Sequence, residues 1–511
     1  MKTIRRYTAI GILINLIVLS SATIVAQGVA VPLMLQGLDH TVPQGARSRA
    51  MGGTAYGMSG DVAAMFSNPA GLMGLQANEF HIGATDLLLN STMTQEWYVN
   101  DYLDYFSLIV ENKPEYGPIF DALNDRFRSD SLTKFRNGRL FNVKPYDDLQ
   151  TNWQKSKSRF LPSLLAVAFP IEFKKQMIVL GLGYTEMINL DYYFQNNTAM
   201  DPYLGQFRPA PVPVFKNVND SLKVRLFRNS AQREGSIYGV TPGIAFSPLN
   251  GINVGITYTS LSGITDDLEE QYDRSIIVIR TVKGRVDIDP VCQLDPGNYS
   301  RISKGKSHFS GSMINVGVNY KDEYFSIGGS FKPPYTITRS WDRRITTTAL
   351  PGASILDSEI IEGGEESIKF PFSFGIGLAI FANEKVTVAL DYESRNLTRT
   401  VLSVRDSTEL NPWLNGSRYR FGVEYRPLSG LALRCGYREE AEVFARTGAA
   451  IMTLPERSKI FTGGLGFQIS FVTIDLAYEF RRLIYFDSWE SNTNFITDNK
   501  HFLMIETSFR F

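Results

Sequence analysis

At 511 residues the chain is long enough for several domains, although barrels of this length also fold as single units. Its 52 lysines and arginines balance 52 aspartates and glutamates, so no overall field gathers nucleic acid, and no nucleic-acid partner is expected. Two cysteines and four histidines leave little material for thiol or metal chemistry, whereas 42 glycines, 33 phenylalanines and 24 tyrosines suit a β-rich chain.

Residues 1–26 read as a secretory signal peptide. Lys2, Arg5 and Arg6 precede an apolar run from Ala9 to Leu19, and small residues follow. That run is about 11 residues, too short for the roughly 20 that a spanning helix needs. Cleavage after Ala22, Ala26 or Ala30 is compatible with the pattern, and nothing supports a twin-arginine signal. No later apolar run is long enough to span as a helix. The expectation is an exported protein without a helical anchor.

Residues 27–77 contain RAMGGTAYGMSGDVAAMFSNPAGLMGL, from Arg49 to Leu75. Glycine and alanine disfavour a strand here, and Gly52, Gly53, Gly57, Gly60 and Pro69 disfavour a long helix. Val62, Met65, Phe66, Leu72 and Met73 nevertheless call for burial, and Asn68-Pro69 favours a turn. A compact, closely approached element fits this better than a flexible periplasmic tail.

A strand is expected near 78–90, followed by an external loop over roughly 91–159 that carries helical patterns in TQEWYVNDYLDYFSLIV and PIFDALNDRF. From residue 160 the period is two. Tyr419, Phe421, Val423 and Tyr425 alternate with Arg418, Arg420, Gly422, Glu424 and Arg426. Val472, Ile474, Leu476, Tyr478 and Phe480 alternate with Thr473, Asp475, Ala477, Glu479 and Arg481, and Val386 to Glu393 repeats the arrangement. Hairpin turns are expected around 173–176, 248–251, 321–323, 382–385, 427–430 and Ser470. Long polar stretches separate them, near 195–235, 263–305, 339–365, 401–414, 443–456 and 486–499. Six hairpins, one preceding strand and one terminal strand over 501–511 make fourteen.

An even strand count, short turns at one end, long loops at the other and alternating faces predict an all-β fold: a 14-stranded antiparallel transmembrane outer-membrane β-barrel over 78–511. A chain of soluble β-sandwiches is the competing architecture. A lumen of fourteen strands is too wide for side chains alone to fill. Residues 27–77 are therefore expected as an N-terminal hatch, or plug, inside it. In the last strand Phe511, Phe509, Ile505 and Leu503 share one face, and Phe511 resembles the assembly signal read by barrel assembly machinery. Cys292, in a loop pattern, and Cys435, in a strand pattern, read as isolated thiols.

The run GARSRAMGGTAYGMSGDVAAMFSNPAGL, with Asn68, Pro69 and Ala70 at its centre, resembles the hatch signature of outer-membrane transporters for long-chain fatty acids and other hydrophobic compounds. FSPLNGINVGITYTS, PERSKIFTGGLGFQISFVTIDLAYEF and the terminal Phe extend the resemblance over the mature chain. It implies passive transport of a hydrophobic small-molecule ligand through a fourteen-strand barrel, gated by the plug, with sideways exit into outer-membrane lipids at a kink of the third strand. Gly181 and Gly183 of VLGLGYTE are the candidates for that kink, with Pro242-Gly243 as a rival. The long first loop departs from the family, and no ligand-contact residue carries over to it; it forms a capture groove or docks a protein partner.

No catalytic residue, cofactor or metal site is expected. His40, His81, His308 and His501 are scattered, Gly305 to Ser307 lacks the upstream glycine of a phosphate loop, and neither HExxH nor GxSxG occurs. The alternative function is a barrel accessory component of a protein secretion or surface attachment system; a general porin is disfavoured by a plug.

Overall fold

The computed structural model describes residues 33–97, 153–173, 176–201, 221–283, 288–404, 407–410, 413–443, 457–488 and 492–511. The expected signal segment 1–26 and most of the first external loop lie outside them, including nearly all of both helical patterns.

Fourteen antiparallel strands run in chain order around a closed sheet: β1 Glu79–Trp97, β2 Trp153–Phe173, β3 Gln176–Asn189 continuing as Tyr192–Asp201, β4 Ser221–Leu249 and β5 Ile252–Lys283. They continue with β6 Tyr299–Lys321, β7 Phe325–Lys332 and Tyr335–Ala349, and β8 Ser358–Phe370 and Ser373–Asn383. The remainder are β9 Val386–Arg395 and Val401–Val404, β10 Ser407–Leu410 and Gly416–Leu428, β11 Leu431–Ala441, β12 Arg457–Ile469, β13 Val472–Ser488 and β14 Asn492–Arg510. The ladder from Glu79↔Arg510 to Trp97↔Asn492 joins β14 to β1 and closes the sheet.

All six expected hairpins occur at one end of the barrel. Their ladders close at Phe173↔Gln176, Leu249↔Ile252, Lys321↔Ser326, Asn383↔Val386, Leu428↔Leu431 and Ile469↔Val472. At the last, Ser470 takes a positive φ of 55° to turn the corner. The opposite end differs from expectation in extent. Segments expected as loops, including 221–235, 263–283 and 339–349, are paired strand. There the ladder rises beyond the apolar belt, both faces become polar, and the alternation that marks a strand in sequence disappears.

Burial is inverted relative to a soluble protein. Ile82, Leu165, Ile256, Ile327, Phe421, Tyr478 and Ile505 face outward and are exposed, while Arg339, Glu366, Asp391, Glu424, Arg438, Glu479 and Glu506 are buried inside. A sandwich would bury the first set. A transmembrane barrel gives it to lipid and keeps the polar set in the lumen, which places this protein in an outer membrane. No helix of the described residues is long and apolar enough to cross a membrane. Cys435 carries a free thiol.

The segment that precedes β1 packs against inward-facing residues of the wall. Residues 33–75 fold into two short helices, α1 Ala46–Ala50 and α2 Ala64–Ser67, and a 3-10 turn Pro69–Gly74. Met65, Phe66 and Leu72 pack in one core with Leu164, Ala166, Ala168 and Val179 from β2 and β3.

Candidate functional site: the filled lumen and two interruptions of its wall

The polar inner face holds the first part of the N-terminal segment. Arg233 of β4 donates to the carbonyls of Leu33, Met34 and Gln36 at 3.1, 3.1 and 3.2 Å. Arg395 and Arg418 donate to Asp39 O at 2.8 and 3.1 Å. Arg47 forms a two-pronged pair with Glu424, both contacts at 3.0 Å. Arg438 donates to Gly52 O at 3.2 Å while pairing with Glu479 at 2.8 Å. Thr462 Oγ1 donates to Ala50 O, Glu506 accepts from Ala46 N, and Asp391 accepts from Ala55 N and Tyr56 N at 2.7 and 3.0 Å. Buried charges persist only when paired and hydrogen-bonded, and here the segment's backbone supplies many of the partners.

The second part, residues 62–73, rests on β3 to β7 mainly through apolar and close backbone contact. Asn68 is fully buried. Its Nδ2 donates to Tyr56 O at 2.6 Å and to Val318 O of β6 at 3.1 Å, and its Oδ1 accepts from Ala70 N at 3.2 Å to cap the 3-10 turn. Pro69 is the first residue of that turn, where its missing N–H costs nothing, and Ala70 is buried beside it. A Cβ on Gly317 or Gly328 would collide with the Asn68 amide, so the wall is cut away to admit it.

Gly181 and Gly183 serve the same close approach. A methyl on Gly183 would strike Phe66 Cζ, and one on Gly181 would sit 3.2 Å from Met65 Cε. Both glycines lie in regular pairing with β2 and β4, as does Gly243 opposite Gly181. The irregularity of β3 lies a few residues further on. Its ladder with β2 ends at Leu164↔Thr185, and its register with β4 shifts between Glu186 and Ile188. Beyond Thr185, β3 turns to the N-terminal segment instead: Val42 N donates to Met187 O at 3.1 Å and Asn189 N to His40 O at 3.0 Å. The upper half of β2, Trp153 to Ser163, has no strand partner on that side among the described residues. Side chains span the gap. Arg159 pairs with Asp191 at 2.9 Å and donates to Ser236 Oγ at 2.9 Å, and Trp153 meets Tyr193 edge-on at 5.4 Å.

A second interruption lies across the barrel. Pairing of β7 with β8 skips Pro333, Pro334, Pro371 and Phe372, and β9 leaves its ladder after Arg395 for a single 3-10 turn, Leu397–Arg399. A lumen cavity of about 100 Å³ reaches this place. Leu38, Phe66, Leu261, Tyr335 and Phe370 give it apolar walls, and Lys332, Glu393, Arg395 and Arg418 a charged one. The ammonium of Lys332 makes no hydrogen bond or ion pair with a described residue.

Two groups bring carboxylates and an imidazole together: Asp39, His40 and Glu442, and Asp61, His81 and Glu506. In the first, Glu442 is already engaged by Arg481 and Ser458. In the second, both ring nitrogens of His81 are bonded, to Glu506 at 2.6 Å and Glu79 at 3.1 Å.

Sequence reasoning identified the charged inner faces of β9, β10 and β13 without showing what they hold. It missed the β7–β9 interruption, whose signal is Pro333-Pro334 in one strand and Pro371 in its neighbour. Phe511 lies just past β14, exposed, with its N–H donating to Asn78 O at 3.0 Å.

No family model matches the sequence, and no curated protein matches it. Solved structures do. A Pseudomonas aeruginosa FadL homologue aligns over 92% of this chain and 99% of its own with a TM-score of 0.56 at 10% identity. The toluene transporter TodX of P. putida aligns over 92% and 98% with a TM-score of 0.53 at 13% identity. The chain has the fold of these outer-membrane barrels.

Proposed function

We propose that the protein is an outer-membrane channel for hydrophobic compounds, including long-chain fatty acids, in which residues 33–75 act as a movable plug and the ligand leaves sideways into the bilayer. The observation that carries this reading is the mismatch between cavity and cargo. The cavities that the N-terminal segment leaves against the wall measure about 100 and 130 Å³, whereas a small-molecule site needs roughly 300 Å³ or more. A ligand passes only if part of the filling moves. The part with the fewest polar anchors is 62–73, which packs on β3 at Gly181 and Gly183, next to the place where β3 abandons β2. An apolar compound leaving there enters lipid without crossing water. The fold shared with a FadL homologue and a toluene transporter supports the same ligand class, and Lys332 beside apolar walls suits a chain with an anionic end.

Replacing Asn68, Pro69 and Ala70 together tests it. Loss of the two amide hydrogen bonds costs on the order of 1–3 kcal/mol, enough to shift a gate and too little to unfold the barrel. Uptake of labelled oleate, normalised to surface barrel, is expected to change while heat-modifiable barrel stays constant. Equal uptake by variant, wild type and a deletion strain would reject the channel for that ligand class.

A further inference from the structure

Lipid-facing backbone at membrane depth must be paired, unless it lines a cavity or is buried in protein. The β7–β9 interruption breaks the pairing of three neighbouring seams at one level. Met313 to Asn315 of β6 have no partner on β7, Pro333 and Pro334 face Pro371 and Phe372 across β7 and β8, and Asn396 to Thr400 leave β8. Three of these residues are prolines, which lack the N–H that an unpaired strand would expose.

The pleat also turns over here. In β7 the inward residues are Ser326, Gly328, Ser330 and Lys332 below the break, but Ile337, Arg339 and Trp341 above it. In β8 they are Gly375, Gly377 and Ala379 below and Glu366, Ile368 and Phe370 above. Matched irregularities of this kind re-aim side chains and recur at barrel rims and functional sites.

Its height is set by the outer face. Below the break Ile327, Phe331, Phe374 and Ile376 are exposed, and above it Thr336, Ser340, Asp342 and Arg344 take their place. The break therefore sits at the upper rim of the apolar belt. Inside, the cavity ends against the same residues. Phe372 lines it, yet Phe372 is 37% exposed with its ring 6.0 Å from the outward Phe331. The stacked rings of Tyr335 and Phe370 at 4.8 Å line the cavity, with Trp413 packed against Phe370 at 5.5 Å, and Tyr56 and Phe66 line it from the N-terminal segment.

We propose that this interruption is a second lateral port, joining the lumen cavity to the outer-leaflet rim, with Phe372 as its door. Single-chain apolar compounds dissolved at the rim pass through it, separately from the β2/β3 gap on the far side. Its use for uptake rests on the channel reading; its existence does not, and the test reads existence.

With Cys292→Ser and Cys435→Ser removing native thiols, Leu397→Cys places one thiol on the buried cavity wall. The full-length barrel is put in nanodiscs, and N-(1-pyrenyl)maleimide is supplied dissolved in the lipid. Phe372→Ala is expected to raise the labelling rate at least about fivefold by opening space at the door, and Phe372→Trp to lower it. Phe374→Ala, one pleat lower in intact ladder, leaves it within about twofold. A water-soluble maleimide is expected to be indifferent to residue 372. If Leu397→Cys does not give a heat-modifiable barrel, Tyr335→Cys reports from the same cavity. Lipid-borne labelling that is equal across the Phe372 variants, or absent from all of them, overturns the port; oleate uptake judges the channel reading separately.

Discussion

The two parts of the N-terminal segment are held by different physics. Residues 39–56 meet a wall of buried charge on β9 to β14, where Arg438, Asp391, Glu424 and Glu506 each bind a specific side chain or backbone group of the segment, Glu424 taking Arg47. Residues 62–73 meet β3 to β7, where Met65 and Phe66 lie against glycines and Asn68 and Ser67 supply the hydrogen bonds to the wall. Breaking a buried ion pair by removing one member costs about 3–5 kcal/mol, while sliding an apolar contact costs far less. The difference separates a clamp from a tip, and both interruptions of the wall adjoin the tip or its cavity.

The largest effect is expected at the clamp. Glu424 is buried among Arg47, Arg426 and Arg434. Glu424→Ala strands the guanidinium of Arg47, whereas Arg434 keeps Asp475 and Arg426 is half exposed, and should loosen the clamp by about 3–5 kcal/mol. Trypsin should then cleave after Arg47 or Arg49 in barrels that remain heat-modifiable. A segment as resistant as wild type would show that these pairs hold nothing.

A smaller effect of opposite kind is expected at the tip. Gly183→Ala drives a methyl into Phe66 and should cost roughly 1–3 kcal/mol through overpacking. Because the tip can retreat while the ladder of β3 is regular there, the variant should raise oleate uptake without lowering surface barrel. Reduced barrel with unchanged uptake per barrel would mean that Gly183 serves assembly alone.

The assembly expectation is confined to the other end of the chain. Deleting Phe511 should lower barrel insertion and leave chain in the periplasm, whereas Arg510→Lys should not; equal surface amounts would remove Phe511 as a signal.

The smallest effect concerns pH. Burial pushes the His40 imidazole below its ordinary value, with Lys500 and Arg481 adding to the shift and Asp39 and Glu442 opposing it. A released segment binds a proton near pH 6.5, whereas the docked one resists it. Docking is therefore complete above that pH and weakens as pH falls through 6.5 toward the lowered value. Amide exchange at residues 37–42 should quicken on acidification, and His40→Gln should flatten the dependence.

Much of this was legible in sequence because a membrane barrel writes its faces plainly. Tyr419 to Arg426 and Val472 to Arg481 alternate as lipid and lumen require, and the six turns follow from their glycines, prolines and asparagines. The height of the strands was not legible, since above the apolar belt residues such as 263–283 are polar on both faces. The site was half legible. Asn68-Pro69-Ala70 announces a buried turn through its composition, but the partners that make it specific, Tyr56 O and Val318 O, are backbone atoms with no signature. Gly181 and Gly183 were visible as glycines, yet only the fold shows that they admit Met65 and Phe66 while β3 departs beyond Thr185. The inversion at Pro333-Pro334 and Pro371 needed both neighbouring strands to be seen together.

The most direct test of the account pins the tip while leaving the clamp alone. Ser67→Cys with Asn315→Cys joins two residues already in hydrogen-bond contact at 2.8 Å, and Ala50→Cys with Thr462→Cys does the same at the clamp. With native thiols replaced, labelled oleate uptake per surface barrel is measured oxidised and then reduced. Tethering the tip should abolish most uptake, on the order of tenfold, with recovery on reduction, and tethering the clamp should change it by less than about twofold. Equal uptake with the tip locked and free would contradict gating by this segment.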